Sequence, residues 1–104
     1  MKQVIDSKMY NTDTAEEIGS WSNHLGYSDF RSCSEELYRT KKGNYFVHGK
    51  GGAMSRYAES CGDGMSNGSA IIQMTKEEAF EWAQQHCGDD DDVMEHFKDM
   101  IEEV

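Results

Sequence analysis

The chain has 104 residues and a formal net charge of −10, and its apolar fraction of 37% supports one domain with a modest core. The excess of negative charge argues against direct binding of nucleic acid or of an anionic membrane, because both need Lys and Arg to neutralise phosphates. It favours basic partners, among them proteins that themselves bind nucleic acid.

The pattern of residues in the N-terminal third of the chain predicts a β-hairpin followed by a helix. Short apolar runs on both sides of Asp6-Ser7 indicate a hairpin at 4–10 with a two-residue turn. Thr14 and Glu17 have the spacing of a capping box, and apolar residues follow at helical period. The segment at about 14–22 is therefore predicted to be a short helix.

The middle of the chain predicts a second hairpin between loops. Residues 27–34 are predicted to form a loop with Phe30 tucked in. Strand-forming residues on both sides of a Lys-Lys-Gly turn indicate a hairpin at 36–48. Two glycine-rich loops are expected after it, at 49–56 and 62–69.

A further strand is predicted at 70–74, directly before a helix signal. Thr75 and Glu78 have capping-box spacing, so the helix is expected to begin after Thr75. Apolar residues then recur at helical period to about Cys87, and Gly88 ends the helix.

Most of the negative charge lies in residues 89–104, where eight carboxylates stand against Lys98 alone, a net charge of −7. Apolar residues recur through this segment at helical period, which predicts a folded, acidic amphipathic helix at about 90–103. The order of elements predicts one α+β domain over residues 1–104. It would contain a small antiparallel sheet, made of two hairpins plus a further strand, and three helices, two of them C-terminal.

The sequence contains no recognisable catalytic, metal-binding or cofactor-binding motif. The His and Cys residues lack the paired spacing of a zinc site, and the glycines at 49–52 lack the order of a phosphate-binding loop. We therefore assign no catalytic residue, no metal ligand and no cofactor, and we predict a protein that is not an enzyme. With no apolar stretch long enough for a signal peptide or a membrane span, a cytoplasmic protein with reduced Cys33, Cys61 and Cys87 is expected.

Four stretches resemble a set of small acidic proteins from phages and mobile elements of gut Firmicutes. They are 4–12 (VIDSKMYNT), 37–46 (LYRTKKGNYF), 51–58 (GGAMSRYA) and 75–79 (TKEEA). The resemblance covers most of the chain and implies a shared fold, but it carries no catalytic residues. Mobile-element proteins of this size and charge are often anti-defence factors, including anti-CRISPR proteins, so the resemblance implies such a role in a host bacterial cell.

The leading hypothesis is a stoichiometric inhibitor whose carboxylates mimic the phosphates of a nucleic acid. Its partner would be a basic nucleic-acid-binding protein of a host defence system, for example a CRISPR effector, and the chain itself would be a monomer or a homodimer. The predicted partner-binding residues are Asp89, Asp90, Asp91, Asp92, Glu95, Asp99, Glu102 and Glu103.

Two other hypotheses remain open. The chain could bind or sequester a small molecule such as a nucleotide, with backbone N–H groups of the two glycine-rich loops holding the phosphates. The predicted ligand-binding residues are then Lys50, Ser55, Arg56, Ser66 and Ser69. The third hypothesis is an accessory domain whose surface serves only to dimerise.

Overall fold

A computed structural model describes residues 1–26 and 28–104, so Tyr27, in the loop predicted at 27–34, lies outside the described residues. The strands are β1 Lys2–Ile5, β2 Lys8–Asn11, β3 Glu16–Ser22, β4 Cys33–Arg39, β5 Tyr45–Gly51, β6 Glu59–Cys61, β7 Gly64–Ser66 and β8 Gly68–Met74. The helices are α1 Lys76–Cys87 and α2 Asp91–Glu95, followed by a 3₁₀ turn at Lys98–Met100. A four-stranded sheet in the order β3-β4-β5-β8 forms the centre, and β1-β2 and β6-β7 form separate antiparallel pairs.

The α+β class and the antiparallel sheet are confirmed. The hairpin predicted at 4–10 is β1-β2, the hairpin predicted at 36–48 is β4-β5, and the strand predicted at 70–74 is β8. The capping box is also present: Thr75 Oγ1 accepts from the backbone N–H of Glu78, and the Glu78 carboxylate accepts from the backbone N–H of Thr75. Local turn and cap chemistry was enough to predict these elements.

The prediction of three helices is wrong, since the described residues contain two α-helices and the segment predicted to be the first helix is strand β3. The register against β4 shifts between Glu17 and Gly19, which makes Ile18 the extra residue of a β-bulge. The bulge breaks the two-residue alternation, so Ile18 and Trp21 both reach the helix-covered face. Their three-residue spacing imitated a helix.

The single helix predicted at 90–103 is also shorter than expected. α2 ends at Glu95, the backbone leaves the helical region at Phe97, and the 3₁₀ turn follows. Phe97 is fully buried, with its ring centroid 5.7 Å from that of Tyr45 and 5.5 Å from that of Phe80. Because a helix of five residues is not stable alone, this packing holds the segment in place.

The sheet lies between two layers. α1 and α2 cover one face, where Leu37, Val47, Trp82 and Phe97 belong to the main core. The β1-β2 hairpin covers part of the other face, where the Tyr10 ring packs against other aromatic residues of a second cluster. The loop before β4 differs from prediction, because Phe30 is 63% exposed and is not tucked in.

The turn between β1 and β2 predicts that Ser7→Gly stabilises the protein. Asp6 and Ser7 have φ of 53° and 64°, a left-handed conformation that costs roughly 1–2 kcal/mol for a residue with a Cβ. Gly relieves this strain at one position, and its greater freedom in the unfolded chain offsets part of the gain. We expect the free energy of unfolding in urea to rise by about 0.5–1 kcal/mol. Ser7→Ala, which keeps the Cβ, should bring no gain, and equal stability of the two variants would contradict the prediction.

Candidate functional site

The acidic segment at 89–100 is fixed to the core from beneath. Val93 and Phe97, four residues apart, are 2% and 0% exposed and belong to the main cluster. Asp90 is the N-cap of α2, and its Oδ1 accepts from the backbone N–H groups of Asp92 at 3.0 Å and Val93 at 3.2 Å. The neighbouring carboxylates therefore extend from an ordered support.

The eight predicted partner-binding residues do not have equal roles. Asp90 caps the helix, while Glu95 pairs with Lys98 at 3.1 Å and Asp99 pairs with Lys76 at 2.7 Å. The hydrogen bond from Lys76 holds the pKa of Asp99 below its ordinary value. These last two ion pairs are on the surface, where such pairs contribute little to stability and neutralise charge locally.

Five of the eight carboxylates are exposed and form no ion pair with the described residues. They are Asp89, Asp91, Asp92, Glu102 and Glu103. The first three lie together at the start of α2, and the last two follow the 3₁₀ turn in irregular chain. We call Asp89, Asp91 and Asp92 the acidic triad.

The five residues predicted to bind a small ligand are not brought together. Lys50 and Ser69 are cross-strand partners on the face that carries the β1-β2 hairpin. Ser55 and Arg56 lie in the loop on the helix-covered side, where Ser55 Oγ donates to the carbonyl of Gly52. Ser66 is in the β6-β7 hairpin and bonds backbone carbonyls there.

Much of the two segments predicted to be glycine-rich loops is strand, since 49–51 belong to β5, 64–66 to β7 and 68–69 to β8, and their glycines have a packing role. A Cβ on Gly49 would overlap the Tyr57 ring, and a Cβ on Gly68 would overlap the carbonyl oxygen of Tyr57. The loop between β5 and β6 therefore crosses the sheet closely enough to exclude side chains at both positions. A glycine pattern of this origin carries no information about phosphates.

One concavity nevertheless borders both glycine-rich loops. A cavity of about 650 Å³ lies at the end of β5 and is open to solvent on one side. Its lining residues include Lys50, Gly51, Gly68, Leu25 and the exposed ring of Phe30. Of the predicted ligand residues, it contains Lys50 alone.

Glu35 is a buried carboxylate that was not predicted from the sequence. Glu35 is 4% exposed, and its Oε1 accepts from Trp82 Nε1–H at 3.0 Å. Its Oε2 accepts from the Tyr57 hydroxyl and from Arg56 Nη1, the latter at 3.4 Å. The Glu35 network thus joins β4, α1 and the loop before β6, and it uses Arg56, which was predicted to bind a ligand.

Both carboxylate oxygens of Glu35 accept hydrogen bonds from side chains of the protein itself. Burial and the hydrogen bond to Glu35 raise the pKa of Tyr57, which keeps this phenol protonated as a donor. The arrangement fits a structural role, in which a buried hydrogen-bond network connects β4, α1 and the loop before β6. Its only sequence signal is the alternation Cys33-Glu35-Leu37 along one face of β4.

The environment of His86 leads us to expect that the free energy of unfolding depends on pH. Its ring centroid lies 4.5 Å from that of Trp21 and 5.0 Å from that of Trp82. Burial lowers the pKa of His86 from 6.5, although the Glu35 carboxylate at 3.9 Å opposes this shift. Its contribution to stability is therefore complete above pH 6.5, and it falls as the pH drops towards the lowered pKa, because the unfolded chain binds the proton first.

We expect wild type to lose more free energy of unfolding than His86→Gln when urea denaturation at pH 7.5 is compared with pH 5.5. The other titratable groups are shared by both proteins, so the difference isolates His86. An equal loss in the two proteins would mean that His86 does not contribute.

Cys33, Cys61 and Cys87 are unpaired. Among the described residues, no three His, Cys, Asp or Glu side chains come together as possible metal ligands, and no helix is long and apolar enough to cross a membrane. Comparison with family models, curated proteins and solved structures finds no match to this chain.

Proposed function

We propose that this chain is a non-enzymatic inhibitor from a phage or mobile element that binds a basic, nucleic-acid-binding protein of a host defence system. The proposed site of action is the cytoplasm of the host bacterium, and a CRISPR effector is an example of such a partner. The observation that carries the proposal is the acidic triad: three carboxylates that are exposed, unpaired among the described residues, and located within or just before a capped, core-anchored helix.

Fixed carboxylates suit this role for an electrostatic reason. A protein groove that binds nucleic acid presents Lys and Arg at the positions that phosphates occupy. When these side chains pair with phosphates, the counterions condensed on the nucleic acid are released. Carboxylates on an ordered support can occupy such positions without the entropy cost of ordering a flexible tail. Since net charge is strongly negative, long-range attraction should also speed the first encounter.

Capture from a bacterial lysate with an active defence system tests the proposal. The immobilised chain should retain a nucleic-acid-binding protein at low salt and release it at high salt, because screening shortens the range of the attraction. A variant with all three triad residues changed to Asn should retain much less of this nucleic-acid-binding protein. Retention that is unaffected by salt and by these changes would contradict the proposal.

Small-molecule binding is the second candidate, supported by the cavity of about 650 Å³ that contains Lys50 and borders the glycine-rich loops. In this case an anionic group would pair with Lys50, and the exposed Phe30 ring would stack on a base. Calorimetry with cyclic nucleotides and dinucleotides tests it. Binding that is lost in Lys50→Ala and kept in the triad variant would favour this candidate over the first.

A further inference from the structure

The outer edge of β3 is an open edge of the central sheet. β3 pairs with β4 alone among the described strands. The backbone N–H of Asn23 donates to the carbonyl of Cys33 at 3.1 Å, on the side of β4. Since antiparallel strands alternate the direction of their backbone groups, Ser20 and Ser22 direct theirs away from β4. The Cys87 thiol makes a weak contact with the Ser20 carbonyl at 3.6 Å, and the Ser20 N–H and both Ser22 groups have no strand partner.

Two depressions border this edge of the sheet, and Ser20 and His86 line both of them. The first, of about 740 Å³, lies between Ser20 and the end of α1 and is also lined by 89–91. The second, of about 540 Å³, is lined by Glu17, Glu36 and Ser22, and it reaches Trp21, Glu35 and His86 of the helix-covered side. Ser20 lines both, so the free backbone groups lie where the two depressions meet.

The second depression is also negative. Glu17 and Glu36 line it together, and burial with the nearby Glu36 carboxylate raises the pKa of Glu17. Lys50 is the single Lys or Arg among the described residues that line this depression, and His48 is 3.7 Å from Glu36, so the carboxylates outnumber the permanent cations there. A cation placed between Glu17 and Glu36 would interact favourably with both carboxylates.

We infer that the β3 edge binds an extended Lys/Arg-rich segment of the partner protein, which adds as a fifth strand beside Ser20 and Ser22. Side chains of an added strand point alternately to the two faces, and here both faces present carboxylates. A run of basic residues therefore satisfies both sides at once. This site rests on the proposed function, because it names the part of the basic partner that is recognised.

A second copy of this chain is a poorer occupant of the same edge. Two chains, each with a net charge of −10, would bring the carboxylates of both depressions together. The β-bulge at Ile18 and the carboxylates of Glu16 and Glu17 are features that protect edges against pairing between copies. The same carboxylates attract a basic segment.

A pair of matched peptides separates strand pairing from charge attraction. The probe is a nine-residue peptide of Lys, Arg and Thr, and its control has the same sequence with alternate backbone nitrogens methylated. The control keeps every charge and loses the N–H groups that a fifth strand needs. We expect the unmethylated peptide to bind about tenfold or more tightly, because several backbone hydrogen bonds are gained. The amides of Ser20 and Ser22 should also become protected from hydrogen exchange.

Ser20→Pro supplies the test on the protein side. Proline is tolerated at edge strands where the missing N–H faces solvent, and Ser20→Ala keeps the N–H as control. Ser20→Pro should lose the preference for the unmethylated peptide, while Ser20→Ala retains it. Equal binding of both peptides to wild type would overturn the edge site and leave the proposed function standing. Sedimentation as a dimer through this edge would overturn the edge site as well.

Discussion

Glu35→Ala is expected to lower the free energy of unfolding by about 2–6 kcal/mol, because two buried donors each lose their acceptor at a cost of roughly 1–3 kcal/mol. The truncation leaves the Tyr57 hydroxyl and the Trp82 N–H buried without an acceptor, and it removes the partner of Arg56. Since small domains have only about 5–15 kcal/mol of stability, this loss threatens the fold itself. Urea denaturation followed by tryptophan fluorescence measures it, because Trp82 is in the network.

Two variants keep this prediction testable even if Glu35→Ala does not fold. Glu35→Gln keeps an oxygen for the Trp82 N–H, and its amide can donate to the Tyr57 hydroxyl, so it should lose clearly less stability. Glu36→Ala changes the neighbouring residue, which faces the other side of the sheet and is only half-buried. A Glu35→Ala protein no less stable than Glu36→Ala would show that the Glu35 network does not hold the elements together.

Changing the acidic triad to Asn should slow association with the captured partner about tenfold or more at low salt. Electrostatic steering raises association rates by roughly 10–1,000-fold, and the triad carries the exposed, unpaired charge at the anchored helix. Dissociation and thermal stability should change less, since all three side chains are exposed. Surface plasmon resonance at several salt concentrations measures the rate and its salt dependence.

A matched control tests whether position or only total charge matters. Asp13→Asn, Glu59→Gln and Asp63→Asn remove the same three charges from exposed positions elsewhere on the chain. This variant should associate nearly as fast as wild type. Asp90 stays unchanged in both variants, because it caps α2 and its loss would cost about 1 kcal/mol of stability. If both variants associate equally slowly, the effect of the triad would come from total net charge and not from the position of its carboxylates.

The sequence could predict those elements that local chemistry determines. The capping box at Thr75 and the turns of the two hairpins depend on residues a few positions apart, and all of them are present in the structure. β3 could not be predicted in this way. Its identity depends on pairing with β4 and on the bulge at Ile18, which gives a strand the apolar spacing of a helix.

The candidate sites show the same difference between local features, which could be predicted, and features that depend on the fold, which could not. The negative charge of 89–104 is visible in the sequence, but only the structure distinguishes the helix-capping Asp90 from the exposed triad. Glu35 could not be predicted, because its donors Tyr57 and Trp82 are 22 and 47 residues away in the chain. The glycines at 49–52 and 62–68 suggested a ligand-binding site for a related reason. Several of them permit close packing, which cannot be recognised before the fold is known.

Displacement of nucleic acid from the purified partner tests the central claim most directly. The partner is loaded with a fluorescent duplex or guide RNA, and this chain is titrated in at low salt while anisotropy is followed. If the acidic triad occupies the groove that binds phosphates, wild type releases the nucleic acid stoichiometrically and the triad variant does not. A stable ternary complex, in which the partner holds the nucleic acid and this chain together, would contradict the account.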